Sequence, residues 1–290
     1  MMKQKVTAVL LSAFIAFSSA GVSGEAASVP GKATWLWDSQ AMAADASGTV
    51  AFLVSKQVNT VYVQIDQRIP ASTYHMFIEK AGSKGIRVYA LDGSPDWVDA
   101  GDSGRQQLMD WLADYQKTAT ARQKFSGIHL DVEPYLYSGW TNNRDETVQA
   151  YQALLAKAKS NAASLRLPLE VDMPFWFDEI SYSNSYGKGW LADWVIRQTD
   201  SVTIMAYRDS AAAIRDLVKH EMDTAVKYKK PLEIGVETAF SAEGDYLTFA
   251  EEGEAQMNRE LDALKRAYTK VGSFGGVAVH SVESWKTMKR

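Results

Sequence analysis

"FSGIHLDVEPY", residues 125–135, decides the fold of this chain. Successive side chains of a strand point to opposite faces, so Ile128, Leu130 and Val132 share one face and His129, Asp131 and Glu133 the other. One face is apolar and the other ionisable. A carboxylate buried without a partner costs several kcal/mol or shifts its pKa, so the polar face has to meet water, a partner or a substrate. A strand of this kind suits the wall of a parallel barrel, with its apolar face under helices and its polar face inside.

The rest of the chain repeats the arrangement. Short β-rich runs predict strands near 33–38, 59–66, 86–92, 126–133, 168–174, 200–207, 231–237 and 274–280. Between them lie helical stripes such as Leu108, Trp111, Leu112 and Tyr115, or Val148, Tyr151, Leu155 and Ala158, or Met257, Leu261, Leu264 and Tyr268. No linker, charge block or internal repeat interrupts the series. Eight alternating units over residues 28–290 predict an α/β fold, a single-domain (β/α)8 TIM barrel. Val61, Val63 and Ile65 alternate with Tyr62, Gln64 and Asp66; Leu169, Val171 and Met173 with Glu170, Asp172 and Pro174; Leu232, Ile234 and Val236 with Glu233, Gly235 and Glu237. In the sixth strand Val202, Ile204 and Ala206 oppose Thr203, Met205 and Tyr207, and in the eighth Val277 and Val279 oppose Ala278 and His280. Polar groups are thus expected at the C-terminal ends of the strands, where barrel enzymes hold their sites. Glu170 and Glu233 could equally belong to an ion-pair network deeper in the barrel.

The first residues read as a leader. Lys3 and Lys5 precede an apolar run from Val6 to Phe17, with small residues around Ala20, Ala26 and Ala27. That is the pattern of a secretory signal peptide, too short to span a bilayer. Cleavage between about 20 and 27 would leave 263 to 270 residues, and the expectation is a secreted, soluble monomer. The chain has no cysteine, hence no disulfide, and its formal charge of −4 argues against nucleic acid or an anionic membrane as partner. There is no Gly-rich phosphate loop, no H-E-x-x-H and no G-x-S-x-G, so no cofactor is expected. Three ligands on one strand span too far for one metal ion, so none is expected at His129, Asp131 and Glu133.

A carboxyl at the barrel mouth, close to a second one on the same strand, is harder to ionise. Glu133 could therefore stay protonated, as a general acid for the leaving oxygen of a glycosidic bond must. Asp131 comes from the same wall and would approach the sugar from the same side. Either a carboxylate from another strand completes the pair, or the substrate supplies its own nucleophile, as an N-acetyl group can.

Phe125-Ser126-Gly127-Ile128-His129-Leu130-Asp131-Val132-Glu133-Pro134-Tyr135 resembles the fourth-strand signature D-x-x-D-x-D-x-E of family 18 glycoside hydrolases, the chitinase-like barrels. The last Asp and the Glu match; Ser126 and His129 stand at the first two Asp positions. Met205-Ala206-Tyr207 resembles the sixth-strand M-x-Y-D, with Arg208 in place of Asp, and Gly275-Gly276-Val277-Ala278-Val279-His280 resembles the eighth-strand run that ends in tryptophan, with His280 in that place. The resemblance implies that Glu133 is the acid, that Asp131 orients the substrate's acetamido group, that Tyr207 contacts it, and that the substrate is a carbohydrate polymer or oligosaccharide containing amino sugars. Two alternatives stand beside it. Glu133 and Glu237, at the ends of strands four and seven, resemble the acid and nucleophile of the retaining barrel glycosidases, although Val132 stands where that clan has Asn. A glycan-binding barrel without catalysis is the other.

Asp66, Asp92 and Asp172 end strands and could bind sugar hydroxyls or only cap helices. Trp176 in "PFWFDE" and Trp97 in "SPDW" could stack on sugar rings, and Trp285 could stand in for the tryptophan missing at His280. Together with His129, Met205, Arg208, Glu237 and His280 these complete the expected substrate contacts.

Overall fold

A computed structural model of the chain describes residues 30–101 and 103–289. The leader segment lies outside these residues. Eight strands form a closed barrel in sequence order: β1 (Gly31–Leu36), β2 (Thr60–Gln64), β3 (Arg87–Asp92), β4 (Gly127–Leu130), β5 (Leu169–Pro174), β6 (Ser201–Met205), β7 (Leu232–Glu237) and β8 (Phe274–His280). Every neighbouring pair is parallel, and β8 closes on β1 with Val279 beside Thr34. With helices between the strands, the chain is the (β/α)8 barrel that its periodicity predicts.

The alternation within each strand sorts residues as expected. Ile128, Leu130 and Val132 join Val61, Val63, Val171, Ile204, Ile234, Val277 and Val279 in the apolar shell between strands and helices. Leu108, Leu112, Tyr115, Val148, Tyr151, Leu155, Ala158, Met257, Leu261 and Leu264 meet that shell from the helix side. A separate, smaller apolar cluster of Ala33, Trp35, Tyr62, Tyr89, Leu91 and Ala278 fills the barrel interior.

Two departures bear on the site. β4 ends at Leu130, three residues before the predicted boundary, because its pairing with β5 stops at the Leu130–Val171 register. Asp131 stays tied to β3 through its N–H, which donates to the Asp92 carbonyl at 3.1 Å. Pro134 then disfavours helix at Glu133, which keeps φ −103° and ψ 81°. The second departure is an antiparallel hairpin, Ser181–Asn184 with Gly187–Trp190, between β5 and the helix Leu191–Gln198. Nearly all of it is exposed, so it carries no apolar alternation to announce it.

Candidate active site

Inside the barrel a polar column rises through aromatic rings. Glu233, one residue in from the start of β7, accepts a hydrogen bond from the Tyr62 hydroxyl at 2.7 Å. Burial first, then the Glu170 carboxylate, push Glu233 up to about 8. Tyr62 stacks on the His129 imidazole at 3.7 Å between centroids. His129 Nε2 lies 2.9 Å from Asp172 Oδ2, and Nδ1 lies 3.7 Å from Glu170 Oε2. Burial opposes a charge on His129, but the Asp172 and Glu170 carboxylates outweigh it and hold the imidazole up to about 10. Expected among the substrate contacts, His129 is completely buried in the barrel interior. Glu170 and Glu233 likewise belong to this interior network.

Asp172 is the next level. Its Oδ2 also accepts from the Trp35 indole N–H at 2.9 Å, while the buried Oδ1 has no hydrogen-bond partner. Asp172 is 2 % exposed, at the base of the site. Above it come Asp131 and Glu133. Burial, then the charges of Asp172 and Glu133, raise the Asp131 pKa well above the usual carboxylate range. Its Oδ1 is shielded from solvent and unpartnered. Glu133 is also raised, by burial and by Asp172, against the opposing pull of a hydrogen bond from Tyr135 and of His280. The Tyr135 hydroxyl donates to Glu133 Oε2.

The ends of β6, β7, β8 and β1 supply the opposite wall. The Tyr207 ring lies 6.2 Å from His280, and its hydroxyl is kept protonated by burial and by the fields of Glu237, Asp172, Asp131 and Glu133. The Trp37 indole donates to His280 Nε2 at 2.9 Å, and His280 Nδ1 lies 2.9 Å from Glu237 Oε2. With Nε2 accepting, Nδ1 carries the proton and donates to Glu237. Glu237 Oε1 takes the backbone N–H groups of Thr238 and Ala239, both at 2.7 Å. Trp35 meets His280 edge-on at 5.3 Å.

Asp131, Glu133, Asp172, Tyr207, Glu237 and His280 therefore converge, as their places at strand ends predict. The other candidates have partners of their own. Asp66 is held low by Arg68, whose guanidinium and backbone N–H both donate to it, and also accepts from Gln40 at 2.8 Å. Asp92 accepts from the Gly93 N–H, and burial lifts it to about 6. Met205 is buried, 8 % exposed, opposite Gly235 of β7. Trp176 packs edge-on to Tyr135 at 5.0 Å and to Trp140 at 5.9 Å, behind the glutamate. Arg208 sits on the rim between Phe175 and Tyr246. Trp97 is partly buried against the core. Trp285 does not replace the tryptophan absent at His280: it is buried on the outer side, against Phe52 at 5.8 Å, with its N–H on Glu254.

Trp35, Trp37 and Tyr135 are the site residues that the sequence reading missed. For the tryptophans a signal existed, since Ala33, Trp35 and Trp37 alternate with Thr34 and Leu36 along the first strand. Tyr135 reaches Glu133 across a 3-10 turn, which no periodicity marks.

No protein-family profile and no curated protein matches the sequence. Solved structures do match the fold. The C-terminal domain of a putative chitinase from Desulfitobacterium hafniense superposes with TM-score 0.59 at 12% identity, over 88% of this chain and 94% of that one. A family 18 chitinase from Cycas revoluta, solved with (GlcNAc)4, gives 0.55 at 13% identity, over 88% and 95%. The glycoside hydrolase domain of PgaB from Bordetella bronchiseptica gives 0.53 at 10% identity, over 89% and 96%. The chain shares the barrel fold of these proteins.

Proposed function

We propose that the protein is a glycoside hydrolase that cleaves an amino-sugar polysaccharide, with Glu133 as general acid. The observation that carries this is the pair Asp131–Glu133 at the mouth of a closed barrel, both carboxyls pushed toward the protonated form by burial and by the Asp172 charge. A carboxyl that keeps its proton near neutral pH can give it to the bridging oxygen as the C–O bond breaks. The likeness to chitinases, one of them solved with (GlcNAc)4, supports an amino-sugar substrate.

In this reading the substrate's acetamido oxygen attacks the anomeric carbon, and Asp131 accepts the acetamido N–H through its unpartnered Oδ1. The buried Tyr207 hydroxyl faces the same space and donates to the acetamido group. Glu237 already accepts from His280, Thr238 and Ala239, which favours a role in holding His280 over one as nucleophile. Export, carried by the leader-like segment before residue 28, is part of the same proposal.

The test is hydrolysis of chitin, peptidoglycan and exported amino-sugar polysaccharides by the purified protein. Glu133→Gln should lower turnover by roughly 10²–10⁴-fold without unfolding the protein; an equally active variant overturns the assignment. Glu237→Ala separates the two mechanisms. Substantial residual turnover fits an acetamido nucleophile, whereas total loss with rescue by azide transfers that role to Glu237.

A further inference from the structure

Arg208 is a cation on the rim. It follows Tyr207 at the C-terminal end of β6, half-buried, where the resemblance above expects an aspartate. Its Nη1 donates to the Tyr207 carbonyl at 2.7 Å. Its guanidinium carbon lies 5.5 Å from the Phe175 ring centroid and 5.3 Å from that of Tyr246. Phe175 directly follows β5 and Tyr246 lies in the segment after β7, so the loops on both sides of β6 hold this one side chain. Tyr246 is 55 % exposed, so this contact lies at the surface.

A guanidinium carries five N–H donors in a planar fork. The carbonyl uses Nη1 and the rings supply no in-plane acceptor, which leaves Nε and Nη2 without a partner among the described residues. The chain has more carboxylates than cations, and several stand at this mouth, yet none pairs with Arg208. Leaving a charged donor half-desolvated and unpaired is costly. A fixed fork of this kind matches a planar carboxylate through two parallel hydrogen bonds. Asp131 and Glu133 lean to the neutral form, so the mouth repels an anion less than its carboxyl count implies.

We propose that Arg208 binds a carboxylate carried by the polymer and thereby selects amino-sugar glycans with an acidic substituent. The inference rests on the glycosidase reading of the site. The two are separated by binding measurements in a Glu133→Gln background, where sugars are not consumed. Two tetrasaccharides with the same backbone serve as probes: chitotetraose, and alternating N-acetylglucosamine and N-acetylmuramic acid, which adds a lactyl carboxylate to every second ring.

The carboxylated probe should bind roughly 10- to 100-fold more tightly. Arg208→Gln should remove that preference while leaving the affinity for chitotetraose unchanged, which also shows that the variant is folded. Arg208→Lys should keep part of it, since the charge remains without the fork. Equal affinity for the two probes, or a preference that survives Arg208→Gln, overturns the role of Arg208 and leaves the glycosidase reading intact. Failure of both probes to bind, with no hydrolysis of either by the unmodified protein, overturns both.

Discussion

At the scale of single residues, the proposed chemistry turns on how a proton is kept on Glu133. Burial and Asp172 raise its pKa, and the Tyr135 hydroxyl works the other way by donating to the ionised form. Tyr135→Phe removes that donor. The acid should then hold its proton to higher pH, so the alkaline limb of the pH–rate profile moves up. A limb that moves down or stays fixed would show that another group controls it. That Asp131, Glu133, Tyr207, Glu237 and His280 come together at the mouth was legible because each closes a polar row on a strand. His129 was legible as inward-facing but not in depth: the same alternation serves a residue under the floor and one on it, and only its complete burial, stacked on Tyr62 and paired with Asp172, separates the two.

At the scale of elements, the position of Asp131 depends on how closely β3 and β4 approach past their last paired residues. A Cβ on Gly93 would sit 1.9 Å from the Asp131 carbonyl oxygen, a backbone atom that no side-chain rotation can move. Gly93→Ala should destabilise the protein by about 1–3 kcal/mol in denaturant titrations. It should also cost turnover even where the protein remains folded, because the shifted strand end carries Asp131 and Glu133 with it. Unimpaired turnover in the folded variant would show that this approach does not set the site. All eight barrel strands were readable because a half-polar barrel strand alternates over four to seven residues. The hairpin Ser181–Trp190 was not, because a short exposed hairpin on a barrel rim buries little, and its sequence is free of pattern.

At the scale of the molecule, several ionisable groups hold their protons more tightly in the fold than in the free chain. Burial lifts Asp92 to about 6 and Glu221, which no other residue reaches with a hydrogen bond, to about 8. Against its own burial, His129 is held up to about 10 by Asp172 and Glu170. Each folded-state pKa lies above its unfolded value, so the folded form binds more protons over the interval between them. Stability is therefore greatest below the unfolded values and declines as pH rises through the folded ones. The melting temperature should fall by at least about 5 °C between pH 5 and pH 8.5. Glu221→Gln should narrow that gap, and a melting temperature that rises over the same interval would contradict the burial of these protons.

The seam between β1 and β8 has a consequence for how the protein is made. The Thr34 hydroxyl donates to the Val279 carbonyl 245 positions later, and the Trp35 indole waits 137 positions for Asp172. A nascent chain leaving the ribosome holds its first strand with one edge bare until the eighth strand has been made. Closure of the barrel therefore waits on the most distant pairing in it, contact order is high, and folding is slower than in a bundle built from local contacts.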